Sequence, residues 1–455
     1  MDLRKNDIIK LEIVNSDLGG SGIGRHGGMA VFVPHSAKGD VINARILKVK
    51  KTYAYGKIEE ILTPSEDRVS CPCPVNGKCG GCVFGHISYE AELKIKEDAV
   101  KDCFRRLANL DPPFEKIYSG EKIYGYRNKA QYPVSEKSGE ISIGFYASHS
   151  HRVIDCPACP LQPEEFETIL KAVKEYIREC CVSVYNEETG RGLIRHIFIR
   201  KAAVTGEIMV CPVINGKKLP GEEEFCSRVL DACPAVTSIM LNINTADTNV
   251  IMGEKCRLLY GSEYITDILA GLKFRLSHLS FYQVNHDVAE MLYGKAGEYA
   301  SLTGRETVLD LYCGTGTIGL SMAKHAGQVI GAEIVPEAVE DAKINAKING
   351  IENARFICAD AGRAAAQLEK EGIKPDAVIL DPPRKGCTAG LIETVARMGP
   401  DRIVYVSCDP ATLARDCKSF AEKGYRIESA AVYDMFPRTG NVETVCKLTR
   451  SEMNP

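Results

Sequence analysis

Short alternating apolar runs at 8–14, 30–33, 41–49 and 54–61 open the chain, broken by the glycine pairs Gly19-Gly20 and Gly27-Gly28. Strands this short and this closely spaced predict a small antiparallel barrel, and Thr63-Pro64-Ser65 marks its end. Between 118 and 276, strand-like pieces (193–201, 206–213, 236–242) alternate with helix-like ones such as 163–178, the pattern of an α+β domain. From about 277 the order becomes helix, strand, helix, strand, with apolar strands at 307–311, 328–333, 354–358, 377–380 and 403–406. That alternation predicts a doubly wound parallel sheet. The expected fold is multidomain α/β: a small OB-like barrel over 1–65, a central α+β domain with a cysteine-rich segment over 66–276, and a Rossmann-like domain over 277–455.

A length of 455 residues agrees with roughly three domains. No apolar run approaches the ~18 residues of a membrane helix, and the start Met1-Asp-Leu-Arg-Lys-Asn-Asp lacks a signal-peptide pattern, so a cytoplasmic protein with no membrane association is expected. Nineteen cysteines spread over the whole length do not resemble a secreted disulfide framework. A net charge of −3 excludes a wholly basic nucleic-acid binder, although Lys and Arg outnumber Asp and Glu in the first 65 residues. Nothing in the sequence signals an obligate protein partner.

The candidate chemistry lies at strand ends. In Asp310-Leu-Tyr312-Cys-Gly314-Thr-Gly316-Thr-Ile-Gly319 the glycines sit where backbone must turn sharply and lie close to a ligand. Glu333 ends the next strand, placed to accept hydrogen bonds from ribose hydroxyls, and Asp360 follows the third strand at the adenine end. Asp310 would repel a pyrophosphate but suits a cationic sulfonium, which points to S-adenosylmethionine rather than NAD. After the fourth strand comes Asp381-Pro382-Pro383-Arg384, where amino-group methyltransferases usually carry an aromatic residue in place of Arg384. Ser407-Cys408-Asp409-Pro410 follows the fifth. A thiolate suits addition to carbon 6 of a pyrimidine, which makes carbon 5 nucleophilic. The proton on carbon 5 then needs a base, and Glu443 is the candidate.

On these motifs the chain resembles the RNA 5-methyluridine methyltransferase family over almost its full length. Residues 8–62 resemble that family's N-terminal TRAM domain, an RNA-binding barrel. Tyr126-Arg127-Asn128-Lys129 and Gly192-Leu-Ile-Arg195-His196 resemble its central signatures, and Phe281-Tyr282-Gln283-Val284-Asn285 resembles its lead into the class I methyltransferase domain. The resemblance implies cofactor contacts at Gln283, Tyr312, Glu333 and Asp381, beside Gly314, Gly316 and Asp360 of the same pocket, with Cys408 as nucleophile and Glu443 as base. The family commonly has His two residues before that glutamate, where this chain has Asn441.

Cys71, Cys73, Cys79 and Cys82 cluster with nearby glycines, and Cys156 and Cys159 follow later. Spacing alone allows zinc or an iron–sulfur cluster. The resemblance implies a [4Fe–4S] cluster on Cys73, Cys79, Cys82 and Cys159, with zinc as runner-up and Cys71 and Cys156 as bystanders. The implied partner is RNA, ribosomal (23S) rather than transfer RNA, with phosphates tracked by Lys48, Lys50, Lys51, Lys57, Arg127, Lys129, Arg195 and Arg200. The function expected is methylation of uridine carbon 5. Alternatives are a transfer-RNA uracil methyltransferase, an RNA cytosine carbon-5 methyltransferase, and an iron–sulfur RNA-binding protein without activity.

Overall fold

The structure is a computed structural model that describes residues 3–451; Met1 and Asp2 of the start weighed above lie outside the described residues. Among the described residues no helix is long and apolar enough to cross a membrane.

Five strands, Ile8–Ser16, Ser21–His26, Met29–Pro34, Val41–Val49 and Tyr53–Thr63, close into a barrel. Alternation fills it: Leu11, Ile13, Val31, Val33, Ile42, Ala44, Ile46 and Ala54 point inward. One pairing departs from the antiparallel expectation, because Tyr53–Thr63 runs parallel to Met29–Pro34 where the barrel closes.

The middle of the chain forms a seven-stranded sheet, on which Ile194–Lys201 and Ile208–Ile214 are central and buried on both faces. One face packs beneath helices Glu164–Glu179 and Glu222–Ala232 through Phe166, Ile169, Val173, Phe225 and Val229. From the opposite face Phe198 and Met209 enter the same core as Leu276, Tyr282, Ala289 and Leu292, so this sheet and the C-terminal part of the chain share a dry boundary.

The C-terminal sheet has eight strands in the spatial order Ala354–Cys358, Gln328–Glu333, Thr307–Leu311, Ala377–Leu380, Arg402–Ser407, Glu443–Arg450, Tyr425–Asp434, Phe114–Ser119. The five strands read from the sequence are parallel neighbours. Their continuous apolar runs follow from burial on both faces: Val308 enters one core, Leu309 and Leu311 the other. The edge strand comes from far upstream, since Phe114–Ser119 pairs in parallel with Tyr425–Asp434. Helix Tyr89–Cys103, capped by Ser88, which accepts from the Ala91 N–H at 3.2 Å, leads into it. Val100 and Phe104 are buried with Leu413, Cys417 and Val432 of the C-terminal part.

Candidate active site

Strand order reverses beside Thr307–Leu311, and ligands of doubly wound sheets bind at the strand ends in that crevice. There the chain turns through Tyr312 (φ 79°), Gly314 (φ 54°) and Gly316 (φ 86°) into the helix Thr317–Met322. Glycine adopts this left-handed backbone freely; a tyrosine does so only when its surroundings hold it, and such strain clusters at functional sites. Asp310 is 1 % exposed. Its Oδ2 accepts from the Gly319 N–H at 2.9 Å, while Oδ1 is buried without a partner. A Cβ at position 319 would stand 2.8 Å from that carboxylate, which is why a glycine is needed there. Burial pushes the Asp310 carboxyl up to about 7. An acid with an unanswered oxygen at a glycine turn suits a cationic ligand.

Glu333 is held by three backbone donors: Ile334 and Val335 N–H to Oε1 at 2.8 and 2.9 Å, and Gly314 N–H to Oε2 at 3.1 Å. These fix its direction and leave lone-pair capacity for a ligand hydroxyl. Asp360 is exposed and caps the helix Ala361–Lys370 by accepting from the Gly362 N–H at 3.0 Å. Gln283 is buried, and its carbonyl accepts from Asn128 Nδ2 at 2.8 Å while the Asn128 N–H donates to the Val284 carbonyl at 2.8 Å. The two separate sequence signatures around 127 and 283 are thus one structural joint.

At the reacting centre, Cys408 follows the strand Arg402–Ser407, and Asp409 caps the helix Pro410–Ala421 by accepting from the Thr412 N–H at 2.9 Å. Half-buried Cys408 therefore stands just before a helix N-terminus, whose partial positive charge opposes but does not outweigh the burial and acidic neighbours described next. Glu443 begins the adjacent antiparallel strand, and the register Ser407 opposite Thr444 sets it beside Cys408. Burial, then the charges of Glu443 and Asp381, push the Cys408 thiol up to about 11, against the opposing pull of Arg384. Glu443 is 3 % exposed, and burial followed by Asp381 holds its carboxyl well above the usual range. Asp381 is itself pushed up to about 7 by burial. The expected nucleophile, base and Asp381 therefore meet in one acidic group. Asn441, in the place of the family histidine, accepts from the Arg384 guanidinium at 2.8 Å, a link between the Asp381 loop and the Glu443 strand that no sequence motif announced.

The cysteines surround a cavity of about 100 Å³ lined by Cys71, Cys73, Cys79, Cys82, Cys156 and Cys159 together with Arg127 and Arg438. The structure does not set the expected four apart from Cys71 and Cys156, because all six face the same space. Cys156 is buried and lies within hydrogen-bonding reach of Cys159 and Cys73. Among the described residues no three cysteine, histidine or carboxylate groups converge on a position for a single metal ion. The thiols ring a volume instead of a point.

The phosphate-tracking set divides. Lys48, Lys50, Lys51 and Lys57 are exposed on the barrel. Arg195 and Arg200 are not available: Arg200 is 1 % exposed and donates to the Ser277 and Ser280 carbonyls, both at 2.6 Å, and buried Arg195 donates to the Asn244 and Ala246 carbonyls at 2.8 and 2.9 Å. Both are structural staples that hold loop backbone. Lys129 is only part-exposed and is pushed down to about 8 by burial and the neighbouring Arg200.

A doubly wound sheet with an acidic crevice at its reversal and a thiol beside a buried carboxylate is the arrangement of a methyltransferase fold. The chain belongs to the tRNA (uracil-5-)-methyltransferase family, whose model matches residues 88–451, and a TRAM domain matches residues 10–58. It is 42% identical over 447 residues to an uncharacterized RNA methyltransferase of Halalkalibacterium halodurans, covering 98% of each chain. It is 43% identical to one of Clostridium tetani, covering 98% of this chain and 97% of the other. Among solved structures, the tRNA (uracil-54, C5)-methyltransferase of Pyrococcus abyssi in complex with S-adenosyl-L-homocysteine superposes with a TM-score of 0.77 at 28% identity, covering 97% of this chain and all of that one.

Proposed function

We propose that this protein methylates carbon 5 of a uridine in RNA, with S-adenosylmethionine as methyl donor and 23S ribosomal RNA as substrate, in the cytoplasm. The observation that carries the reading is that Cys408, just past the strand Arg402–Ser407, lies beside Glu443 at the start of the paired strand, with the charges of Glu443 and Asp381 both acting on its thiol. S-Adenosylmethionine supplies an electrophilic methyl group; Asp310, Glu333, Asp360, Asp381, Gln283 and the Tyr312 to Gly316 turn are the residues that would hold it. Cys408 Sγ gives its proton to solvent and bonds to carbon 6; the 5,6 electron pair moves to carbon 5, which bonds to the donor's methyl group as the donor's sulfur–methyl bond breaks and its sulfur leaves as a neutral thioether. Once carbon 5 carries the methyl group, Glu443 takes the proton from that carbon, the 5,6 double bond re-forms and the thiolate leaves. The proton affinity that burial gives Glu443 is what this last step requires. A stacked uridine hides carbon 6, so the base must be single-stranded or flipped out.

Cys408→Ala is expected to abolish turnover and covalent capture by 5-fluorouridine RNA while cofactor binding persists. Glu443→Gln should add to the base but release product slowly, accumulating protein–RNA adduct. Turnover surviving the first change refutes the covalent route; wild-type release in the second places the base elsewhere. The Pyrococcus likeness supports a second reading with transfer RNA as substrate. Mapping 5-methyluridine in ribosomal and transfer RNA from a strain lacking the protein decides between them.

We further infer a [4Fe–4S] cluster on Cys73, Cys79, Cys82 and Cys159. In such a cluster each thiolate holds its own iron, and what supports the reading is that these four cysteines line one cavity. About four iron and four acid-labile sulfide per chain in anaerobically purified protein are expected; stoichiometric zinc overturns the assignment.

A further inference from the structure

The turn 434–442, which connects Tyr425–Asp434 to Glu443, is fastened to residues 83–96 by a set of buried charges that the reaction does not use. Lys96 and Glu92 are fully buried, as is Asp434. The Lys96 ammonium donates to Glu92 Oε1 and to Asp434 Oδ1, both at 2.7 Å, and to the Phe436 carbonyl at 3.1 Å. Tyr89 donates to the second Asp434 oxygen at 2.7 Å. Arg438 completes the set: its N–H donates to Glu92 Oε1 at 2.7 Å, its guanidinium donates to the Ile87 carbonyl at 2.9 Å, and its carbonyl accepts from Val83 and Phe84.

Two features single out Arg438. Its backbone sits at φ 69°, in the left-handed region where glycine is at ease and a long side chain is strained. Bonds through both its main chain and its guanidinium hold it there. It is also 5 % exposed, and it lines the cysteine cavity on one side while its own main chain leads, five residues on, to Glu443. Thr439 and Asn441, between the two, hold each other through the Asn441 N–H to Thr439 Oγ1 bond at 3.3 Å, so little slack separates anchor and carboxylate.

We propose that Arg438 is a positioning residue for Glu443: by clamping the turn onto residues 83–92, which directly follow the cysteine cluster, it sets where the catalytic carboxylate stands, which makes that stretch a support for the product-release step. The proposal rests on the reading of Glu443 as base. Arg438 makes no hydrogen bond to Cys408 or to the residues of the cofactor crevice, so releasing it acts on the carboxylate through the turn, and a displacement on the order of 1 Å can cost ~100-fold in rate.

The experiment compares Arg438→Gly, which suits the backbone and deletes the guanidinium, with Arg438→Lys, which keeps the charge, on a uridine RNA substrate, with Glu443→Gln as reference. Expected for Arg438→Gly are unchanged S-adenosylmethionine affinity, covalent adduct formed at the wild-type rate, turnover at least tenfold lower and adduct accumulating as in the reference, with Arg438→Lys restoring part of the turnover. Wild-type turnover in Arg438→Gly, or adduct formation lost in step with turnover, overturns the proposal. If Arg438→Gly does not fold, Arg438→Gln is read by the same criteria. Wild-type release in Glu443→Gln instead refutes the base assignment, a failure distinct from that of the clamp.

Discussion

Asp310 carries a cost in stability that its burial imposes. Its carboxyl is raised from the model-compound value near 4 to about 7 by burial, so between these pH values the folded chain holds a proton that the unfolded chain releases. Stability contributed by this group is therefore complete below about pH 4 and falls as pH rises through 7, the reverse of a salt-bridged aspartate. Asp310→Asn removes the titration and keeps an oxygen for the Gly319 N–H. The variant is expected to match wild type in urea denaturation near pH 4 and to exceed it at pH 8 by on the order of 2–4 kcal/mol, while its affinity for S-adenosylmethionine falls. Equal stability at both pH values would show that Asp310 is not strained by its burial. Much of this crevice was legible in the sequence, because an acid before a glycine turn and acids at successive strand ends are local patterns. So was Cys408, set between an apolar strand and a Pro-initiated helix. What Asn441 does was not legible, since its partner Arg384 lies 57 residues away and no periodicity links them.

Among elements, the connection 434–442 matters most, and its anchors come from a helix more than 300 residues upstream. Helix Tyr89–Cys103 carries Glu92 and Lys96 one turn apart, which in isolation reads as an ordinary surface ion pair. Burial changes the meaning. With no exposure on Lys96, Glu92 or Asp434, the ammonium is the cation that bonds both carboxylates, while the Arg438 guanidinium stands 3.5 Å from Glu92 alone. Lys96→Met would leave them facing each other, and a loss of about 3–5 kcal/mol in denaturant unfolding is expected, as for other broken buried pairs. A loss below about 1 kcal/mol would mean that the carboxylates are already neutral in the native state. The same distance explains the strand the sequence withheld. Phe114–Ser119 has neither a continuous apolar run nor a neighbour in sequence, and among the described residues it pairs with Tyr425–Asp434 alone. The five inner strands were readable because two covered faces demand uninterrupted Val, Ile and Leu.

At the scale of the whole molecule, the barrel is a fixed part of the active-site wall. Its first turn rests on the catalytic connection: a Cβ on Gly440 would collide with the Leu18 carbonyl oxygen, and one on Gly20 would stand 2.6 Å from the Val83 side chain. Gly440 thus touches barrel backbone three residues before Glu443, at the far end of the connection that Arg438 clamps. The exposed lysines of the barrel and the proposed pair Cys408 and Glu443 are consequently held in one frame, so that, on the proposed function, RNA held there by its phosphates would present a base at a set distance. Gly440→Ala tests that frame. The obstacle is main chain, so the added methyl cannot be absorbed by a rotamer change and must push the barrel turn or the connection away. If the barrel moves, residues 63–70 between barrel and core become open to proteolysis, RNA affinity and its salt dependence drop, and S-adenosylmethionine binding stays at the wild-type level. If the connection moves, RNA binds normally and adduct accumulates as in Glu443→Gln. A variant unchanged in proteolysis, RNA affinity and adduct level would show that the contact carries no load, and the barrel would then act as a tether for RNA without setting the geometry of the reacting base.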